Sequence, residues 1–319
     1  HAFAEPPKGP QRATKAVVVV KDGRVVAERY APGYGPATPI QGWSMTKSVT
    51  NALVGVLVRQ GRLDMNAPLR LAAWSKPGDG RAAITPDNLL RMASGLSAGQ
   101  SLYSDWKGAF DLSSQMEFDQ ADMAAFAERA RLVAPPGARW AYADANTLLL
   151  SRQVRDAAGG DAAHTLAFAR RELFDKLGMK GAILEFDAAG TPIGSSHMWA
   201  PARDWARLGL LYLDDGVVGG ERILPEGWVD YAARQTPGSE AYGYGAGWWT
   251  NRGRGVAVER RVRAGMPADS FMARGSLGQY IVVIPSERMV IVRMGLSFTP
   301  AGDLEAVERL TSEAIAATR

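Results

Sequence analysis

The 319-residue sequence contains no cysteine, which excludes disulfide bonds, thiolate metal sites and cysteine nucleophiles. Histidine is nearly as scarce. His1, His164 and His197 are too few and too dispersed for a metal cluster, and neither a metal nor another cofactor is expected. No run approaches the roughly 20 apolar residues that a membrane-spanning helix needs. Charge of one sign is not concentrated either: the net +4 comes from 37 Lys and Arg interspersed with 33 Asp and Glu. The densest basic run, Glu259-Arg260-Arg261-Val262-Arg263, is short and reads as a solvated loop, so nucleic acid is not an expected partner.

What is present is apolar sequence, 46% of the chain, enough for a large core in one elaborated domain or two. The opening "HAFAEPPKGP" reads as a short helical tail running into a Pro/Gly stop, and a start at His1 leads us to expect a removed or omitted upstream segment that would carry any signal or anchor. "KAVVVVKDGRVVAERYA" then gives two β-rich runs around Lys21-Asp22-Gly23, a hairpin signal. "QYIVVIPSERMVIVRMG" repeats the arrangement near the other end, with Pro285-Ser286-Glu287-Arg288 as its turn. "DLEAVERLTSEAIAAT" closes the chain as an amphipathic helix with Val307, Leu310, Thr311 and Ala314 on one face. Between the ends lie mainly Ala- and Leu-rich helical segments. The expected fold class is α+β: an antiparallel sheet from both chain ends flanked by helices, residues 1–64 with 200–319, and a mostly helical region inserted at 65–199.

One helical pattern carries a candidate for chemistry. In "GWSMTKSVT" a serine opens a helix whose Val49, Ala52, Leu53, Val56 and Leu57 recur at helical spacing, with Gly61 as the stop. Ser44 therefore lies near a helix N-terminus, where unpaired N–H groups and the macrodipole favour developing negative charge. Lys47, three residues on, shares its face. The pattern also fits an ordinary N-cap beside a solvated lysine. A serine nucleophile needs a base, and a lysine serves only if its pKa is lowered or if it orients another group. In "PPGARWAYADANTLLL" a Pro-Pro-Gly loop delivers Tyr142 just before a helix expected to start near Asn146, so its phenol could move the serine proton.

Taken together, Ser44-Met45-Thr46-Lys47, Tyr142-Ala143-Asp144 and Arg274-Gly275-Ser276 before the last hairpin resemble the penicillin-recognising serine hydrolases. That family includes class C β-lactamases, D-alanyl-D-alanine carboxypeptidases, family VIII carboxylesterases and nylon-oligomer hydrolases. Its motif order is S-x-x-K, Y-x-N and K-T-G, and the phrases "GVLVRQGRLDMNAPL", "ITPDNLLRMASGL" and "MWAPARDWARLGLLYLDDG" look like the same family. The resemblance implies a β-lactamase/transpeptidase-like fold, with Ser44 as acyl-accepting nucleophile and Lys47 and Tyr142 as the base and proton-shuttle pair. It further implies an oxyanion hole from the backbone N–H groups of Ser44 and Ser276, the latter on the strand in "FMARGSLGQY".

Two departures narrow that reading. Ala273 and Arg274 stand where the family has the lysine and threonine of K-T-G, which weakens the β-lactamase and carboxypeptidase alternatives. Asp144 replaces the asparagine of Y-x-N, a change associated with esterase-like members, and a carboxylate beside Lys47 would keep it protonated and shift the base role toward Tyr142. The tail Gly275-Ser276-Leu277-Gly278-Gln279-Tyr280 and "ARDWARLG" look closest to the nylon-oligomer hydrolases. A competing pattern, Gly95-Leu96-Ser97-Ala98-Gly99, fits G-x-S-x-G but lacks the strand before it and the helix after it that such an elbow requires; His164 and His197 read as surface or core residues. Aromatic candidates for the substrate pocket are Tyr103 and Trp106 and, in "YGYGAGWW", Tyr244, with Arg274 and Gly275 beside them; alternating Tyr-Gly also suits strand packing. Trp43 and Trp140 read as structural supports. The expectation is a cofactor-independent esterase or amidase acting on a small-molecule substrate. A β-lactamase or D,D-peptidase, and a non-turnover acyl-ligand sensor, are the alternatives. Compartment, periplasmic or cytoplasmic, and oligomeric state are left open.

Overall fold

In the computed structural model, which describes residues 2–98, 111–299 and 302–319, the two ends of the chain meet in one sheet. β1 (Thr14–Lys21) and β2 (Arg24–Tyr30) form the first hairpin, closed by Asp22 at φ 48° and Gly23 at φ 75°. Two successive left-handed residues supply the twist that a two-residue hairpin needs. β3 (Ile40–Gln41), β4 (Ile183–Leu184) and β5 (Met198–Ala200) form a small second sheet in the order β3-β5-β4, and β6 (Val217–Val218) pairs with β7 (Glu221–Arg222). β8 (Trp249–Thr250), β9 (Phe271–Gly275), β10 (Gln279–Ile284) and β11 (Met289–Gly295) complete the main sheet. Its order is β2-β1-β11-β10-β9-β8 with every pair antiparallel, so the expected sheet from both chain ends is present.

The period of two along these strands divides the interior. Ala16, Val18, Val20, Ile281, Val283, Val290 and Val292 face the larger core, while Val17, Val19, Val282, Ile284 and Ile291 face the opposite layer with Leu304, Val307 and Ile315. Each such Val, Leu or Ile side chain contributes about 1.5–3 kcal/mol on burial. The larger core is filled by helices: α1 (Thr46–Arg59), α2 (Pro86–Leu90), α3 (Leu112–Asp119), α4 (Met123–Glu128) and α5 (Asp144–Ala158). α6 (Ala162–Ala169) then continues through a π segment, Arg170–Phe174, into α7 (Asp175–Leu177). α8 (Ala202–Leu213) lies on the sheet at Gly209, where a Cβ would come within 2.5 Å of Val290 Cγ1. α9 (Trp228–Ala233) and α10 (Val256–Arg263) follow, and α11 (Leu304–Ala317) covers the other face.

α1 is central rather than amphipathic. Every residue from Thr46 to Leu57 is buried, so its polar side chains must find internal partners. Ser48 Oγ donates to Gly247 O at 2.8 Å, Thr50 Oγ1 to Gly194 O at 2.9 Å and Asn51 Nδ2 to Ala246 O at 2.8 Å. These bonds tie the loops at 194 and 246–247 to the helix that carries Lys47.

Four local expectations are corrected. Residues 2–10 form turns and bends, not a helical tail, because so short a segment before two prolines cannot repay helix nucleation. The basic run 259–263 belongs to α10, and Arg261 is buried with its guanidinium donating to Asn251 Oδ1 at 2.6 Å, Thr250 O at 2.8 Å and Tyr242 O at 3.0 Å. The Tyr-Gly alternation is a compact loop, not a strand: Gly243 and Gly247 have φ of 72° and 74°, outside the β region. β9 ends at Gly275, so Ser276 opens the turn to β10 instead of lying on the strand.

Candidate active site

The chain reaches α1 from β3 through Gly42, whose Cα lies so close to the Trp205 ring that a Cβ would overlap it. Trp43 follows in the left-handed region at φ 48°, which for a bulky residue costs of order 1–3 kcal/mol and is held only by surrounding structure. A 3₁₀ turn, Trp43–Met45, then leads into α1. Ser44 is half-buried in that turn, and its hydroxyl caps no helix N–H. The ordinary N-cap role is therefore excluded.

The hydroxyl instead accepts a hydrogen bond from Lys47 Nζ at 3.1 Å. An ammonium has three N–H donors, and the other two go to Asp144 Oδ1 and to Ser195 O, the latter at 2.8 Å. Lys47 is 2% exposed. Burial alone would depress its pKa, but the Asp144 carboxylate, with Tyr142 and Glu117, more than offsets that and holds it above the ordinary lysine value. Lys47 is an ammonium in the resting site. Asp144 is the first residue of α5, where the helix dipole favours its charge, and its Oδ2 accepts from Ser113 Oγ.

Tyr142 precedes that helix in extended backbone anchored by Ala141 N–H to Met92 O at 2.8 Å. The Lys47 ammonium, its three N–H groups directed to Ser44, Asp144 and Ser195, also lies over the Tyr142 ring, 4.9 Å from its centroid. The ring packs against Trp249 at 5.4 Å and edge-on to Tyr244 at 5.7 Å. Tyr244 is buried and, among the described residues, its hydroxyl has no partner; the same holds for Trp140 Nε1, 5.8 Å away ring to ring. The sequence-predicted Ser44, Lys47, Tyr142, Asp144 and Tyr244 are thus brought together from three distant stretches of chain.

The third motif approaches from the sheet. A Cβ on Gly275 would overlap the Gly42 carbonyl oxygen, so only glycine lets β9 come up against the Ser44 turn, and Ser276 is the next residue. Strand alternation sets Arg274 opposite to buried Ala273, and its guanidinium stacks over Trp249 at 5.0 Å and Tyr280 at 5.5 Å. Tyr103 and Trp106 lie outside the described residues. Ser97 is held in a different place by Ser97 N–H to Arg131 O at 2.9 Å.

Sequence reasoning missed Ser113, Glu117, Ser195, Ser196 and His197. The Glu117 carboxyl meets Ser195 Oγ and, at 2.9 Å, Ser196 Oγ; desolvation and the neighbouring Asp144 push its pKa up to about 7. Ser113 and Glu117 stand four apart in α3, a helical-face signal that was available. Nothing in "GSSHM" marks the Ser195 carbonyl.

The profile of the Beta-lactamase family matches residues 1–315. The 6-aminohexanoate-dimer hydrolase of Paenarthrobacter ureafaciens is 27% identical over 231 residues, which are 69% of this chain and 57% of that protein; the chain thus matches little more than half of that relative's length. A solved structure of a proposed 6-aminohexanoate-dimer hydrolase from Bacillus anthracis is similar with a TM-score of 0.77 at 23% identity, over 96% of this chain and 80% of that one. EstCE1, a hydrolase with promiscuous acyltransferase activity, gives 0.69 at 15% identity, over 94% and 93%. Since the family profile spans nearly the whole chain and both solved structures repeat its fold, this chain belongs to the Beta-lactamase family.

Proposed function

We propose that the chain is a serine hydrolase that cleaves small esters or amides through an acyl-enzyme on Ser44. The observation that carries this reading is the Lys47 N–H aimed at Ser44 Oγ at 3.1 Å, on a hydroxyl that has no capping role. Because the Lys47 ammonium has no lone pair to take a proton, the serine's own proton goes to another acceptor, and we assign this role to the Tyr142 oxygen acting as the phenolate. Oγ bonds to the substrate carbonyl carbon, and the N–H groups of Ser44 and Ser276 hold the oxyanion. As the carbonyl re-forms, the bond to the leaving group breaks, and Tyr142 passes the proton to the departing oxygen or nitrogen. Water attacks the acyl-enzyme by the reverse proton path. Asp144 keeps Lys47 charged and fixed. Tyr103, Trp106, Tyr244, Arg274 and Gly275 are the proposed substrate contacts.

Short-chain esters come first, because an amide nitrogen is a poorer leaving group; linear amides come next, supported by the similarity to the 6-aminohexanoate-dimer hydrolase. Ala273 supplies no cation where a substrate carboxylate would be met, which disfavours a β-lactamase or D,D-peptidase. The test is hydrolysis of p-nitrophenyl butyrate by wild type and Ser44→Ala, with intact-protein mass spectrometry after a slow acylating agent. Turnover and adduct, both lost in Ser44→Ala, are expected. Unchanged activity in Ser44→Ala refutes the mechanism, and a lasting adduct without turnover identifies a sensor.

A further inference from the structure

Beneath Lys47 lies a second buried carboxyl group that the mechanism above does not use. Glu117 keeps part of its surface accessible, but its carboxyl turns inward onto the hydroxyls of Ser195 and Ser196. Ser195 is also the residue whose carbonyl holds the Lys47 ammonium at 2.8 Å, so one end of that clamp is fixed by Glu117. On the far side, Ser196 Oγ lies 2.6 Å from His197 Nδ1, and the His197 ring packs edge-on to Phe118 at 5.7 Å. The groups facing Glu117 are Ser113 on its own helix, Asp144 of α5, Lys47 of α1, and Ser195, Ser196 and His197 of the segment entering β5; Glu185 and Asp144 are the charges that act on His197.

The Ser196 hydroxyl has one hydrogen, and besides a longer contact to Ser195 Oγ at 3.3 Å two nearer neighbours, Glu117 and His197, compete for it. If it donates to Nδ1 of a neutral His197, Glu117 must carry a proton and donate to Ser196. If Nδ1 carries the proton and donates to Ser196, Ser196 donates to an ionised Glu117. With Nε2 protonated in both, one proton has passed overall from Glu117 to His197, and its loss from His197 to solvent leaves Glu117 ionised beside a neutral imidazole.

We propose that Glu117 is a positioning residue of the Ser44–Lys47 site, which fixes the Ser195 clamp on Lys47 and, by releasing its proton by way of Ser196 and His197, sets how tightly Lys47 and Tyr142 hold theirs. The proposal rests on Ser44 and Lys47 being the reacting centre. An ionised Glu117 adds negative charge beside Lys47 and Asp144, which raises the proton affinity of whichever group acts as base. With a Brønsted slope below one, the loss of free base outweighs its greater basicity. kcat/KM is therefore held back as pH rises through the Glu117 titration, which desolvation and Asp144 place near 7.

The test compares kcat/KM for p-nitrophenyl butyrate in wild type, Glu117→Gln and Ser44→Ala from about pH 5.5 to 8.5. Glutamine keeps the size and can serve both serines but never ionises. The ratio of Glu117→Gln to wild type is expected near one at the acid end and roughly three- to tenfold at the alkaline end. A ratio independent of pH, with Ser44→Ala inactive, overturns this inference and leaves the Ser44 mechanism standing; full activity in Ser44→Ala overturns both. Infrared difference spectra of wild type and Ser196→Ala over the same range provide a check that is independent of turnover. A protonated-carboxyl band that disappears on raising the pH and is shifted by Ser196→Ala supports this proton release, and no such band overturns it.

Discussion

The Lys47–Asp144 ion pair lies at the centre of the candidate site, and Asp144→Asn tests it with little change in volume. Lys47 is 2% exposed and the Asp144 side chain 11%, so the pair is desolvated. Neutralising one partner leaves a buried ammonium whose direct acceptors, the Ser44 hydroxyl, the Ser195 carbonyl and the introduced amide oxygen, are all neutral. Breaking a buried pair in this way costs about 3–5 kcal/mol, against about 0–1 kcal/mol for an exposed one. Urea unfolding at neutral pH measures the loss. Replacing both partners, Lys47→Met with Asp144→Asn, removes the orphaned charge and is expected to recover at least about 1 kcal/mol of it. The pH dependence gives a second reading with a definite sign. In wild type, Lys47 is held above its ordinary pKa, so its stabilisation is complete below the unfolded value of about 10.4 and is lost only as pH rises through the folded value. In Asp144→Asn, desolvation wins, the folded pKa falls below the unfolded one, and stability rises with pH between the two. A single variant that loses less than about 1 kcal/mol, or a double variant no more stable than the single, refutes the argument.

Two further substitutions separate chemistry from packing. Tyr142→Phe keeps the ring against Trp249 and Tyr244 while removing the hydroxyl, so kcat for p-nitrophenyl butyrate is expected to fall about 10²- to 10⁴-fold, with unfolding free energy unchanged within about 0.5 kcal/mol; wild-type kcat would remove Tyr142 from the proton path. Gly275→Ala drives a methyl into the Gly42 carbonyl, and the expected result is about 1–3 kcal/mol of destabilisation together with reduced kcat, checked by urea unfolding and initial rates.

The local signals in the sequence and the three-dimensional site have different physical origins. Both hairpins, the closing helix and the face-sharing of Ser44 with Lys47 were legible because strand alternation, turn residues and helical spacing act within about ten residues. The Pro-Pro-Gly loop before a helix offered Tyr142, and the resemblance joined it and Asp144 to Ser44 and Lys47 across about a hundred residues. The burial of Arg261 was not legible, since its acceptors, Asn251, Thr250 and Tyr242, are offered by a loop whose path depends on Gly243 and Gly247.

By itself, the sequence determined both hairpins, the closing helix and the hydroxyl–ammonium pair at the head of α1, since each depends on neighbours along the chain. Only the tertiary structure decided how Lys47 is held. Its carbonyl partner at Ser195 lies 148 residues away and its carboxylate partner 97, and the Glu117 carboxyl reaches Ser195 and Ser196 across 78 and 79 residues. A carbonyl has no residue type to announce it, and a carboxylate becomes unusual only once folding has taken water away from it.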